Sequence, residues 1–479
     1  MIRRLWNWHE DPALVDRVRT PFGRLVLLGC VAVLLPPDER WPLVAALAVL
    51  FAMPERRMEV LALAGIWVLY RELPDEAMEG GVLGISMAMA AVLGLLYLAF
   101  AAARRFQRAP SAIRRRPIVW THVTLLSLAV AAAFVPEVFA LQATNPIRAM
   151  AASVHAFILF LLWRIGYLVL SGKRGSAAGT RFRDHLGYCL PVWGGSGTPY
   201  GKGYDYLAAQ RTDDDRELAQ TRLAGLKLLI LAQVWTKSLL FFNAAVSGGR
   251  APYIGELPDG WSLALPHLDM AISAGPAVYG VGSCWAALLA GFLRATLSWA
   301  ILGHGIVGVL RLAGFRVFRN TYKPLLATTV VEFWNRYYYY FKELLVEFFF
   351  YPVFLATGKR PRPVRIALAV LAAASFGNLY YHVVRDFADY FLRGPWVLLD
   401  RLAGRAIYCT ALGLGIVASM LREQRRRGAP APAEPRRAAN LRAMAGVWLF
   451  FSLLEVWNVG FKQLTLGDRW RFFLGLFGL

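Results

Sequence analysis

The chain has 479 residues, 57% of them hydrophobic and only 18% charged. Apolar runs recur from end to end, which argues against a soluble multidomain protein and for a multi-spanning membrane protein. The formal net charge is +22. The excess sits in short loops beside apolar segments, where the positive-inside bias and anionic headgroups account for it, so nucleic acid is not an expected partner.

Residues 1–23 form an amphipathic, basic stretch with no apolar core or cleavage site, and read as a cytoplasmic surface segment. Apolar segments follow at 24–36, 41–53, 59–72, 81–103, 118–136, 147–171, 226–247, 276–313, 366–387, 394–420 and 441–462. The first three are short for a spanning helix, and 276–313 suits one long helix or two short ones. The expected fold is an all-α polytopic membrane protein with about 11 transmembrane helices, plus re-entrant or interfacial helices. The N-terminal helices occupy 24–172, a Gly-rich loop region 173–225, the core helices 226–392, and the C-terminal helices 393–479 with a linker at 422–439. The basic loops at 104–117, 358–365 and 422–437, set against the acidic loop at 71–81, place the N-terminus in the cytoplasm. No internal repeat is evident. The four cysteines, Cys30, Cys189, Cys284 and Cys409, form no CxxC pair, so no metal site or disulfide framework is expected.

The loop YCLPVWGGSGTPYGKGYDYLAAQ, 188–210, is not a P-loop, because its glycine spacing fails. It reads as a membrane-embedded or interfacial turn. The alternative is a substrate entrance with Lys202 near a phosphate or pantetheine group. The next stretch, 211–227, reads as an N-capped helix leading into a span.

Two polar stripes follow. On a helix over 331–350, Glu332, Asn335, Arg336, Tyr339, Lys342, Glu343 and Glu347 share one side. Phe333, Trp334, Tyr337, Phe341, Leu344, Leu345 and Phe348 share the other. Basic loops flank this segment on both sides, so it is expected to re-enter or lie at the interface rather than span. In ALAVLAAASFGNLYYHVVRDFADYF, 367–391, Ser375, Asn378, His382, Arg385, Asp386 and Asp389 fall on one face of an apolar helix. Ionisable groups there face a bundle interior or a wet cavity. His382 is the natural proton acceptor, and Asn378 is placed to bond its ring or a substrate carbonyl. His122, His155 and His304 read as core histidines. No GxSxG, HExxH or Asp-rich transfer motif is present.

The run LAGFRVFRNTYKPLLATTVVEFWNRYYYYFKELLVEFFFYPVFL resembles the core of the membrane-bound O-acyltransferase family, bacterial branch. Asn320, Pro324, Phe333, Trp334 and Arg336 stand for its Asn-x-x-x-Pro and Phe-Trp-x-Arg elements, and His382 in GNLYYH for its intramembrane histidine. The resemblance is good over about 310–390 and looser over 188–240. Where many bacterial relatives carry Trp-His after the arginine, this chain carries Tyr337 and Tyr338.

The resemblance implies helices around a central tunnel in a bacterial inner membrane. The reaction it implies is acyl (or acetyl) transfer from an acyl-CoA or acyl-carrier thioester to a hydroxyl of a saccharide, polymer or lipid, with no bound cofactor. It implies His382 as base and Asn335 or Asn378 at the oxyanion, with Tyr338, Arg336, Lys342 and Trp334 as substrate contacts. Membrane lipids and an extracytoplasmic acyltransferase are the implied partners. Two other readings fit the stripes: a transporter or flippase with a proton relay, and an inactive assembly component.

Overall fold

The computed structural model describes residues 7–35, 37–194, 197–251, 255–256, 258, 260–386, 395–426, 437–460 and 464–479. The expected stripe member Asp389 and most of the 422–439 linker lie outside them. The described chain is helical, apart from a two-residue antiparallel ladder pairing Arg250–Ala251 with Gly255–Glu256. It divides into two compact units: 1–230 with 305–318, and 231–304 with 319–479.

Among the described residues, seven helices are long and apolar enough to cross a membrane. They are Gly81–Arg104, Pro117–Val138, Pro146–Arg174, Asp215–Ser247, Val281–Leu312, Arg362–Arg385 and Leu402–Arg425. This corrects the expected count of 11. Pro21–Leu34, Pro37–Ala52 and Arg57–Arg71 have 14, 16 and 15 residues. At 1.5 Å per residue they reach only about 21–24 Å, short of a hydrocarbon core of about 30 Å. Arg437–Asn458 has 22 residues and is not among these seven. The 276–313 run gives one spanning helix, because Gly280, at φ 77°, separates the short Pro276–Tyr279 turn from Val281–Leu312.

In the first unit, Pro146–Arg174 is the hub, packing against both Gly81–Arg104 and Pro117–Val138. Asn145 caps it, its side chain accepting from the Ile147 amide, and Gly175 closes it at φ 86°. Arg164 lies buried in its middle, where its guanidinium sits 3.9 Å from the Phe160 ring centroid and donates to the Phe160 carbonyl at 2.9 Å. His122, buried, packs edge-on against Trp163 as a core side chain, while His155 is half-buried and its Nδ1 meets the Ala129 carbonyl at 2.9 Å. The N-terminal segment is more than a surface feature. Val15 and Val18 are buried, and His9 is buried 3.4 Å from Lys227 Nζ. The helix Phe182–Cys189 packs closely on Arg57–Arg71, with Gly187 against Leu61 and Gly65 against Leu190. It buries His185, whose Nε2 meets Thr180 Oγ1 at 2.7 Å. The Gly-rich loop then folds inward, burying Trp193, Thr198 and Tyr200. Asp214 caps the following helix by accepting from the Arg216 and Glu217 amides.

In the second unit, one core gathers Leu268, Ile272, Leu288, Trp457 and Phe472. A second aromatic cluster stacks Phe333 between Phe451, 3.9 Å between centroids, and Phe292, 5.7 Å.

Candidate functional site

The expected single helix over 331–350 is broken. Val330–Tyr337, capped by Thr329, stops at Tyr338, whose backbone (φ −142°, ψ 78°) is not helical. Tyr339–Leu345 then resumes the helix, followed by a π turn at Val346–Phe350 and a final turn at Tyr351–Ala356. Asn320 holds the break. Its carbonyl accepts from the Tyr339 amide at 2.9 Å, and its Oδ1 accepts from the Tyr340 amide at 3.2 Å. The amphipathic assignment survives on each side of the break, with Phe333, Trp334, Phe341, Leu344, Leu345 and Phe348 buried. Tyr338 and Tyr340 are also buried, because the break turns them inward. The stretch 339–356, helical through its π turn, is not among the seven helices long and apolar enough to span.

The helix Arg362–Arg385 carries the second stripe. Its apolar residues Ile366, Ala369, Val370, Ala373 and Ala374 are buried. Its middle, Leu371–Gly377, widens into a π turn, a distortion frequent at functional sites. This turn packs against the π turn at Val346–Phe350. Gly377 permits the approach, since a Cβ there would lie 2.5 Å from Phe349 Cδ2. Gly413, on Leu402–Arg425, likewise leaves room for Ser375 Oγ.

Asn378 and His382 follow directly, 1% and 8% exposed. Asn378 Oδ1 and Nδ2, His382 Nδ1 and Ser375 Oγ are all enclosed without a hydrogen-bond partner among the described residues. Each such atom costs about 1–3 kcal/mol relative to a paired one. A row of four on one helix face, over eight residues, calls for a ligand or ordered water. Rings wall the row. Tyr381 and Tyr408 stand edge-on to His382 at 6.1 and 6.4 Å. From Tyr381 a chain of ring contacts runs through Phe341 and Tyr338 to Trp299, at 4.7, 5.4 and 4.4 Å. Arg385 pairs with Asp386 at the end of the helix at 2.6 Å.

The expected site residues therefore separate. His382 and Asn378 come together, and Tyr338 reaches them through the ring chain. Trp334 is buried against Phe341, at 6.1 Å. Asn335 is exposed, so it does not share an enclosed site with His382. Arg336 pairs with Glu332 at 2.5 Å, and Lys342 with Glu343 at 2.6 Å. Lys202 belongs to the first unit, where its Nζ lies 5.5 Å from the Tyr206 ring centroid. His304 is a core residue whose Nδ1 meets the Ala300 carbonyl.

Four residues near His382 were not singled out from sequence. Arg405 donates to the carbonyl and Oδ1 of Asn458, and Asn458 Nδ2 donates to Glu455 at 3.5 Å. Tyr408 faces the histidine ring, and Arg385 and Arg405 are the charges that act on it. The criterion that raised His382, an ionisable group inside an apolar run, also fits Arg405 in 394–420 and Glu455 in 441–462.

No protein-family model matches the sequence, and no curated protein matches it.

Proposed function

We propose that the protein is a membrane O-acyltransferase with His382 as its general base. The observation that carries this reading is the row of enclosed, unpartnered polar atoms on Ser375, Asn378 and His382. In the Nε2–H tautomer, His382 Nδ1 holds a lone pair and takes the proton of an acceptor hydroxyl. The hydroxyl oxygen attacks the carbonyl carbon of an acyl thioester. A C–O bond forms, the C–S bond breaks, and the imidazolium returns the proton to the departing thiolate. Asn378 Nδ2 donates to the oxyanion of the tetrahedral intermediate. This gives Asn378 the role that exposed Asn335 is poorly placed to fill. The donor is an acyl-CoA or acyl-carrier thioester, and the acceptor a saccharide, polymer or lipid hydroxyl. The resemblance over 310–390 supports this assignment, together with a bacterial inner membrane, a cytoplasmic N-terminus and an extracytoplasmic acyltransferase partner.

The test follows free thiol from a panel of acyl-CoAs with purified wild type and His382→Ala, with membrane glycolipid extract added. Thiol release by wild type and its loss in the variant are expected. Equal release by both would remove His382 from the chemistry. One observation favours a second reading, a proton-coupled transporter: the Glu455 carboxyl inside an apolar helix, held through Asn458 to Arg405. Proton-coupled flux into liposomes without thiol release would establish that reading instead.

A further inference from the structure

The first unit contains a second site. A cleft of about 420 Å³ opens between the helices Pro37–Ala52, Arg57–Arg71 and Pro146–Arg174. Trp67, Phe157 and Phe160 wall it, together with Pro191 at the start of the Gly-rich loop. Phe157 and Phe160 lie 11 and 14 residues beyond Pro146, about 17–21 Å along that helix. The inward-folded loop therefore reaches the middle of the longest helix of this unit and meets the cleft there. Beneath Phe160 lies the buried Arg164 guanidinium. The rim is polar: Arg71 donates twice to Glu72 Oε1, at 3.1 and 2.7 Å.

The surroundings define what enters. Trp41 and Leu63, on two of the walling helices, are 70% and 69% exposed, so the outer flank of the cleft is apolar. Trp67 and Tyr70 form an exposed ring pair, 5.9 Å between centroids, one turn or less before Arg71. Such rings sit at the headgroup level of a bilayer. Arg71 and Glu72 keep 42% and 55% of their side-chain surface in the open. An exposed ion pair of this kind is weak and readily exchanged. It presents adjacent opposite charges, matching a phosphate and an ammonium group on one molecule.

We infer that this cleft binds one acyl chain of a zwitterionic phospholipid, with its phosphate on Arg71 and its ammonium on Glu72. The site does not depend on the acyl-transfer reading, since it involves no residue of the His382 helix.

The experiment uses the full chain in nanodiscs doped with phosphatidylethanolamine carrying a diazirine on one acyl chain. After photolysis, labelled peptides are mapped by mass spectrometry. Label is expected to concentrate on Trp67 and on 156–160, above the exposed flank residues Trp41 and Leu63. A phosphatidylglycerol probe with the same chain should label the cleft about threefold less, as should the phosphatidylethanolamine probe on Glu72→Lys. Ala156→Trp, which fills the cleft, should abolish the label there. Glu72 is exposed, so its variant remains informative if Ala156→Trp does not fold. Label spread evenly over cleft and flanks would overturn the inference, leaving only annular lipid. Equal cleft labelling by the two headgroups would overturn it too.

Discussion

Asn378 and His382 stand one helical turn apart on the Arg362–Arg385 helix, both buried, and both amide atoms of the first and Nδ1 of the second are left without a partner among the described residues. A pair of this kind is expensive for folding and useful for binding. That trade gives the first prediction. Asn378→Leu removes two orphaned atoms at similar volume, so it should melt at or above the wild-type temperature, with a gain of up to about 1–3 kcal/mol. The same variant should lose about 10²–10³-fold in thiol release. Thermal melts in detergent and the thiol assay, run on one preparation, check both halves.

His382→Ala should lower thiol release by about 10²–10⁴-fold while the protein stays folded and monodisperse. His382→Gln should be equally inactive, since an amide of similar length cannot take the proton. Activity in the Gln variant would show that the ring only positions substrate.

Gly377→Ala sets helix propensity, which favours alanine by about 1 kcal/mol, against a methyl placed 2.5 Å from Phe349 Cδ2. Overpacking of this kind costs about 1–3 kcal/mol, so a lower melting temperature is expected. Phe349→Ala in the same chain should offset the Gly377→Ala loss, because it removes Cγ, Cδ2 and Cε2, the atoms in the way. A double-mutant cycle measures this coupling directly.

Phe333 is fully buried between Phe451 and Phe292. Phe333→Ala should cost about 3–5 kcal/mol, enough to lower the yield of folded protein sharply. Asn335→Ala, two residues away and exposed, should change stability by no more than about 0.5 kcal/mol.

Burial holds the His185 imidazole down to a pKa of about 4, against the opposing pull of Asp184 and Asp205. Its unfolded value is near 6.5. The folded state therefore prefers the neutral ring, and its stabilising contribution is complete above pH 6.5. As the pH falls from 6.5 towards 4, the unfolded chain binds the proton first and stability declines, by about 3 kcal/mol at the lower limit. His185→Gln should flatten this part of the melting-temperature profile. An unchanged slope would assign the acid sensitivity to other groups.

The sequence was most legible where periodicity and burial agree. Both faces of 331–350 read correctly on either side of Tyr338, and in the second stripe Asn378 and His382 are buried and Ser375 Oγ is enclosed. The break at Tyr338 was not legible, because Asn320, which satisfies the freed amides, lies 18 residues upstream and is joined only by folding. Arg405 and Glu455 were missed for a related reason. Glu455 stands alone in its apolar run, Arg405 shares its run with Asp400 and Arg401 near the helix start, and Asn458 links the two only in three dimensions. The span count failed on length. Apolar composition at 24–72 is sufficient, but the helices end too early at Leu34, Ala52 and Arg71.

The π turn at Leu371–Gly377 acts as an angular setting. A π turn accommodates one residue more than the α-helix it interrupts, and one residue corresponds to about 100° of rotation. Deleting Ala372 as the turn closes into a regular spiral would keep everything after it in phase, whereas closing it with no residue removed would swing everything after it by that angle. In the second case Asn378 and His382 would leave the face that Tyr408 meets, although neither would have been substituted. The chemistry of the histidine is thus indexed by the winding of the chain before it.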